Sequence, residues 1–215
     1  MTEIVSVEAD GPDTARSALE RIVGEGGVAI FPADTLYGLA CDPLHPRAVE
    51  RIHSIKGRDD DKPSAVMYFS PLAMRELVSG LGERSRQAVA QLLPGPVTLV
   101  IANPERRYPL ASRDDPERLG VRLIEGPLAG TMIPIFQTSA NRSGSPAPRS
   151  FEEIDDEVLA SVDMAIDGGE ELIGAPSTVI DLAELDSAGR WEVLREGALP
   201  RGVIDRVLGD TESGR

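Results

Sequence analysis

Short apolar runs alternate with stretches of helical periodicity along nearly the whole 215-residue chain, and that alternation limits the fold more than any other feature. The runs at 28–31, 65–69, 97–101, 119–124, 133–138, 164–166, 178–182 and 191–194 are short and rich in Val and Ile, as buried strands are. Between them lie helix signals. Ala15, Ala18, Leu19, Ile22 and Val23 form an apolar stripe, with Asp13 placed as the N-cap and Gly24 to Gly27 as the stop. Pro46 suits a first helical position, and Val49, Ile52 and Ile55 continue that helix to Gly57. Helices are also expected over 71–78, 84–92, 151–162 and near 203–208. The pattern predicts a layered α/β domain over residues 1–209, with 210–215 a frayed, disordered tail. It does not fix the strand order.

Charge and composition exclude several functions. A formal net charge of −14 argues against a broad nucleic-acid-binding face, which needs clustered Lys and Arg, but not against a local basic pocket. One cysteine, Cys41, excludes an internal disulfide, and with His45 and His53 it cannot build a zinc site of the usual spacing. Cys41 reads as a small buried hydrophobe, His53 as a residue on a solvated helix face, and the acidic run 59–61 as a solvated turn. There is no Gly-x-Ser-x-Gly elbow, no Walker pattern and no dinucleotide glycine fingerprint, so a nucleotide would be held by another device. No apolar run is long enough to span a bilayer, and Met1 to Val5 have no basic start before an apolar stretch. These features predict a cytoplasmic location and no membrane contact.

Four loops concentrate polar and basic residues where strands or helices end. They are 32–39, the Lys56-Gly57-Arg58 segment, 138–144 and 176–181. Each has a plain structural explanation. A Lys and an Arg at a helix C-terminus complement its dipole. Ser-x-Asn after a strand is an ordinary turn or cap, and a Thr-rich segment is what strand propensity favours. Ligands of α/β sheets gather at such strand ends, however, so convergence of the four on one cleft makes physical sense.

Taken together, the motifs resemble the threonylcarbamoyl-AMP synthase family, the YrdC-like proteins. The matching stretches are Phe31-Pro32-Ala33-Asp34-Thr35-Leu36-Tyr37-Gly38-Leu39, Lys56-x-Arg58, Pro94-Gly95-Pro96-Val97-Thr98 and Val121-Arg122. They continue with Thr138-Ser139-Ala140-Asn141-x-Ser143-Gly144, Ser177-Thr178-Val179-Ile180-Asp181 and Leu194-Arg195-Glu196-Gly197, all in the family's order. The resemblance implies a twisted mixed sheet with flanking helices and a large concave cleft. It implies an L-threonylcarbamoyladenylate synthase, a nucleotidyltransferase that consumes L-threonine, bicarbonate and ATP and releases pyrophosphate. Its product would serve threonylcarbamoyladenosine modification of tRNA.

The resemblance also assigns residues. Lys56 and Arg58 would stabilise charge on the phosphates and act in catalysis, and Gln137, Ser139, Asn141 and Arg195 would join them around ATP. Thr35, Arg122 and Ser177 would line the threonine pocket, with Arg122 on the substrate carboxylate. Mg²⁺ would be held through ATP phosphates and water, with no dedicated protein metal site. Hand-over to a downstream tRNA threonylcarbamoyl transferase complex is implied, with tRNA binding itself weak or absent.

Some positions depart from the family pattern. Asp59 stands where many members have Pro, Lys62 where some have Asn, and Met67 where some have a threonine-binding His. A diverged paralogue that keeps the ATP pocket but takes another substrate is therefore one alternative, and a non-catalytic RNA- or ribosome-binding module is another. A carbamoyl-adenylate former of the hydrogenase-maturation type would need cysteine-rich zinc segments that this chain lacks.

Overall fold

The computed structural model describes residues 1–57, 63–169 and 171–209. Arg58, the acidic run 59–61, Lys62 and the expected tail 210–215 lie outside the described residues. In chain order the elements are β1 (Glu3–Ser6), α1 (Val7–Asp10), α2 (Pro12–Gly24), β2 (Ala29–Pro32), β3 (Tyr37–Cys41), α3 (Pro46–Lys56), β4 (Ala65–Tyr68), α4 (Pro71–Ser79), α5 (Glu83–Leu92) and β5 (Val97–Ala102). They continue with α6 (Pro109–Ser112), β6 (Arg118–Leu123), β7 (Ile135–Ser139), α7 (Asp156–Ala160), β8 (Met164–Asp167), β9 (Thr178–Asp181), α8 (Leu185–Ala188), β10 (Glu192–Arg195) and α9 (Arg201–Leu208).

The strands form one mixed sheet in the order β1-β8-β2-β3-β7-β4-β6-β5-β9-β10. Pairs β1/β8, β2/β8, β4/β6 and β5/β9 are parallel, and the others are antiparallel. Successive strand residues point to opposite faces, and the two cores follow that alternation. Ile30, Val66 and Phe136 enter the larger core under α3, α4 and α5, whereas Phe31, Met67 and Ile135 enter a smaller one under α2. On the second face α2 packs on β1, β2 and β8. Farther across, the face that carries Met67 and Ile135 continues as Ala65, Gly120 and Gln137, and there it opens into a cleft. The site is thus the uncovered part of a sheet face.

Several local signals act as expected. Pro46 and Pro71 start helices, capped by His45 Nδ1 at 3.2 Å from Ala48 N and by Ser70 Oγ at 3.2 Å from Leu72 N. Gly57 closes α3 in a left-handed conformation, φ 67°. Ile52, fully buried on α3, contributes about 1.5–3 kcal/mol through burial.

Other readings are corrected. Asp13 is not the N-cap of α2: Gly11 holds that position and Pro12 is the first helical residue. The helix expected over 151–162 is broken into a 3₁₀ turn, Phe151–Glu153, and α7. Asp155 makes the break, because its carboxylate accepts from Glu157 N at 2.9 Å and Val158 N at 3.2 Å and so starts a new helix. His53 is buried, not solvated, packing edge-on against Phe136 with centroids 5.8 Å apart and meeting the Arg113 guanidinium. The reading of Cys41 as a small buried hydrophobe holds: it is fully buried, and burial pushes its thiol well above the usual range.

Candidate functional site

The cleft has a volume of about 650 Å³, enough for a nucleotide. Among the described residues that line it, Lys56, Arg118, Arg122 and Arg195 are basic and Asp115 is acidic. In a chain of net charge −14 this is a local reversal of sign. It is the basic pocket that the acidic composition left open.

Lys56 forms one wall. The last residue of α3, it is 3% exposed, and its Nζ donates to Ser139 O at 2.7 Å, Asn141 O at 3.0 Å and Ser139 Oγ at 3.3 Å. The ammonium therefore ties the end of α3 to the loop after β7. Ser139 and Asn141 both line the cleft. Asn141 uses its amide N–H groups on its own loop, donating to Arg142 O at 3.0 Å and also to Ser145 O. The amide thus shapes the loop, and its Oδ1 is buried with no hydrogen-bond partner among the described residues. Gln137 lines the cleft from β7, bracketed in register by Ala40 and Ala65.

A second cluster lies on β6. Arg122 is 3% exposed and donates to the Asp34 carboxylate and to Thr35 Oγ1 at 3.3 Å. Asp34 and Thr35 come from the β2–β3 turn, where Ala33 N donates to Leu36 O at 3.3 Å. Burial raises the Asp34 carboxyl above its ordinary range despite the neighbouring guanidinium. Burial also lowers Arg122, with Asp34 opposing. A guanidinium stays charged in proteins, so the pair is a desolvated ion pair pressed against the cleft.

The third cluster joins β5, β9 and β10. Ser177 Oγ is 2.9 Å from Thr98 Oγ1, and Arg195 donates to Ser177 O at 2.8 Å and Ser177 Oγ at 3.2 Å. Register explains the grouping, because Arg122, Thr98, Val179 and Arg195 fall on neighbouring strands of one face.

The structure thus brings Thr35, Lys56, Arg122, Gln137, Ser139, Asn141, Ser177 and Arg195 to one cleft. Arg58 lies outside the described residues. Met67 is fully buried in the smaller core and is not part of the cleft lining. Sequence reasoning missed Asp34 as the partner of Arg122, although Asp34 sits within the recognised turn motif. It also missed Arg118 and Gly120, which the alternation of β6 puts on the face of Arg122.

A mixed α/β sheet with a nucleotide-sized, cation-lined cleft is the architecture of a small-ligand-binding domain. The Sua5/YciO/YrdC family model, described as "Telomere recombination", matches residues 21–197, and the chain belongs to that family. It is 32% identical to the threonylcarbamoyl-AMP synthase of Pyrococcus abyssi, covering 98% of this chain and 62% of that protein. Among solved structures it is similar to P. abyssi Sua5 complexed with L-threonine, with TM-score 0.82 and 31% identity, over 97% of this chain and 61% of that one. It is also similar to E. coli YciO, with TM-score 0.77 and 27% identity, over 94% of this chain and 99% of that one. The chain therefore spans about three fifths of the P. abyssi protein and nearly all of YciO. No described helix is long and apolar enough to cross a membrane.

Proposed function

We propose that this chain is an L-threonylcarbamoyladenylate synthase, making threonylcarbamoyl-AMP and pyrophosphate from L-threonine, bicarbonate and ATP for tRNA threonylcarbamoyladenosine synthesis. The observation that carries the reading is one cleft that joins a buried Arg122–Thr35 end to a Lys56–Ser139 wall. The threonine amine, once it has lost its proton, attacks the bicarbonate carbon, and water leaves to give the carbamate. A carbamate oxygen then attacks the α-phosphorus of ATP, and the bond to the β-phosphate oxygen breaks. Lys56 and, by resemblance, Arg58 offset the charge that gathers on the phosphate oxygens. Arg122 holds the threonine carboxylate by a directional fork, with Thr35 and Ser177 lining that end. Gln137, Ser139, Asn141 and Arg195 surround the nucleotide.

Mg²⁺ belongs to the proposal as a companion of ATP. Asp115 is the one carboxylate among the described lining residues, and among the described residues no group of three or more His, Cys, Asp or Glu gathers to hold a metal ion. A hard cation would then take phosphate oxygens and water as its ligands and neutralise phosphate charge there. A single domain over 1–209, a cytoplasmic location and transfer of the product to a downstream tRNA threonylcarbamoyl transferase complex complete the reading. The continuous sheet from β1 to β10 supports the first.

The decisive experiment measures pyrophosphate release with substrates omitted in turn. Release should need L-threonine and bicarbonate together. Equal release with ATP alone, or none with every substrate and Mg²⁺ present, would reject the reading. A second reading, a paralogue with another substrate, draws on Asp59 and Met67, which depart from the family pattern. Product analysis with individual amino acids separates the two.

A further inference from the structure

Two glycines interrupt strand interiors on the cleft side of the sheet, for different reasons. Gly38 in β3 has a packing cause, since a Cβ built on it would stand 2.8 Å from the Phe31 ring. Gly120 in β6 has no such cause. Its φ lies outside the left-handed range, and a Cβ there would meet Ala65 Cα and Thr98 Cγ2 at 3.6 Å and Ser64 O at 3.7 Å. These are ordinary van der Waals contacts. Backbone and neighbours would both accept a side chain, and a strand-interior glycine weakens its strand. The bare position therefore calls for a reason outside the fold.

Gly120 is half-buried in the cleft wall, with Ala65 and Val100 beside it in register on the adjacent strands. On β9 the register partner of Val100 is Asp181, outside the cleft lining, and Val179, which lines the cleft, sits two residues along that strand beside Thr98. With strands about 4.8 Å apart, the strip from Ala65 through Gly120 to Val100 runs about 10 Å across the cleft, close to the length of a nucleoside. It has no side-chain donor, so it does not suit a phosphate. A flat base and apolar sugar carbons do suit it.

We infer that Gly120 is a specificity-determining position whose missing side chain lets the nucleoside half of a nucleotide lie directly on the β6 backbone, between the Lys56–Ser139 wall and Arg195. The inference rests on the proposed use of ATP. It assigns the phosphates to the Lys56 side and the nucleoside to the β5–β9 side.

The test uses Gly120→Ala and Gly120→Val in the full chain, with melting temperature and separate titrations of Mg-ATP and L-threonine. Gly120→Ala should melt at or above the wild-type temperature. ATP affinity should fall about tenfold or more in Gly120→Ala and further in Gly120→Val, because added atoms overpack the bound nucleoside. Threonine affinity should stay within about twofold. Unchanged ATP affinity in well-folded variants overturns the inference, as does a loss confined to threonine. If Gly120→Val melts early, Gly120→Ala decides. A wild-type protein that binds no ATP is a different result: it removes the nucleotide reading itself, and this inference with it.

Discussion

Lys56 and Arg122 are both cationic and both 3% exposed, yet they are built into the cleft in different ways. Lys56 leaves the end of a helix and donates to the main-chain carbonyls of Ser139 and Asn141. Arg122 rises from a strand interior and meets the carboxylate of Asp34. Carbonyls do not titrate, and they hold a cation in place only while their loop keeps its shape. A carboxylate supplies an opposite charge, and that charge depends on protonation. The contacts among the described residues thus tie the proposed phosphate-side end to loop conformation and the proposed amino-acid end to electrostatics.

The largest expected effect tests the first half of this contrast. If Lys56 merely complemented the α3 dipole, alanine would cost about 0.3–1 kcal/mol of stability and leave turnover near wild type. Because Lys56 crosses to the loop after β7, Lys56→Ala should instead lower pyrophosphate release by about 100- to 1,000-fold. Arg58→Ala is expected to behave alike under the proposed function. Normal turnover in Lys56→Ala, with melting lowered, would reduce that end to a structural tie.

The next effect concerns the other end. Asp34→Ala leaves Arg122 buried without its carboxylate and should cost about 3 kcal/mol in denaturant unfolding. This is the low end of the cost of breaking a buried ion pair, because the Asp34 side chain is 18% exposed. A loss below about 1 kcal/mol would make the two ends equivalent and break the comparison.

A smaller and more selective effect follows from replacing the fork. Arg122→Lys keeps the charge but loses the planar donors, so threonine affinity should fall about tenfold while ATP affinity holds. Equal losses for both ligands would show that the ends are not separate. Separate calorimetric titrations read this directly.

The smallest effect is a pH dependence. Burial raises the Asp34 carboxyl, so the folded protein keeps this proton to a higher pH than the unfolded chain does. The contribution of this group to stability is fully present below the ordinary aspartate range and declines as pH rises through the raised value. Asp34→Asn should flatten that part of a denaturation-midpoint profile, whereas Lys56→Ala should preserve it. A profile unchanged by Asp34→Asn would remove the electrostatic half of the contrast.

Much of the architecture was legible because its signals are local. Pro46 and Pro71 mark helix starts by a fixed φ, and the stripe from Ala15 to Val23 matches the buried face of α2. β3 was not legible. Tyr37 to Cys41 are buried on both faces, so the segment has no polar alternation and reads as part of a loop. The parallel strand β1 was missed too, because its partner β8 lies far along the chain. His53 was misread for a related reason: what buries it is Phe136 on β7 and Arg113 beyond α6. The site was legible as a set of motifs, but their mutual contacts were not. No spacing in the sequence states that Asp34 meets Arg122 or that Lys56 grips Ser139 O.

The place of β7 in the strand order has a consequence for how the protein comes into being. This strand alone joins the group β1-β8-β2-β3 to the group β4-β6-β5-β9-β10, and it is Ser139 at its end that Lys56 holds. A chain emerging from the ribosome as far as β6 has already made Thr35, Lys56 and Arg122, but the strand that seats between β3 and β4 has yet to arrive. Seating that strand joins β3 to β4 and brings Ser139 within reach of Lys56, while β8, β9 and β10 are still to come. Under the proposed function, nucleotide binding would therefore report that β7 is seated between β3 and β4.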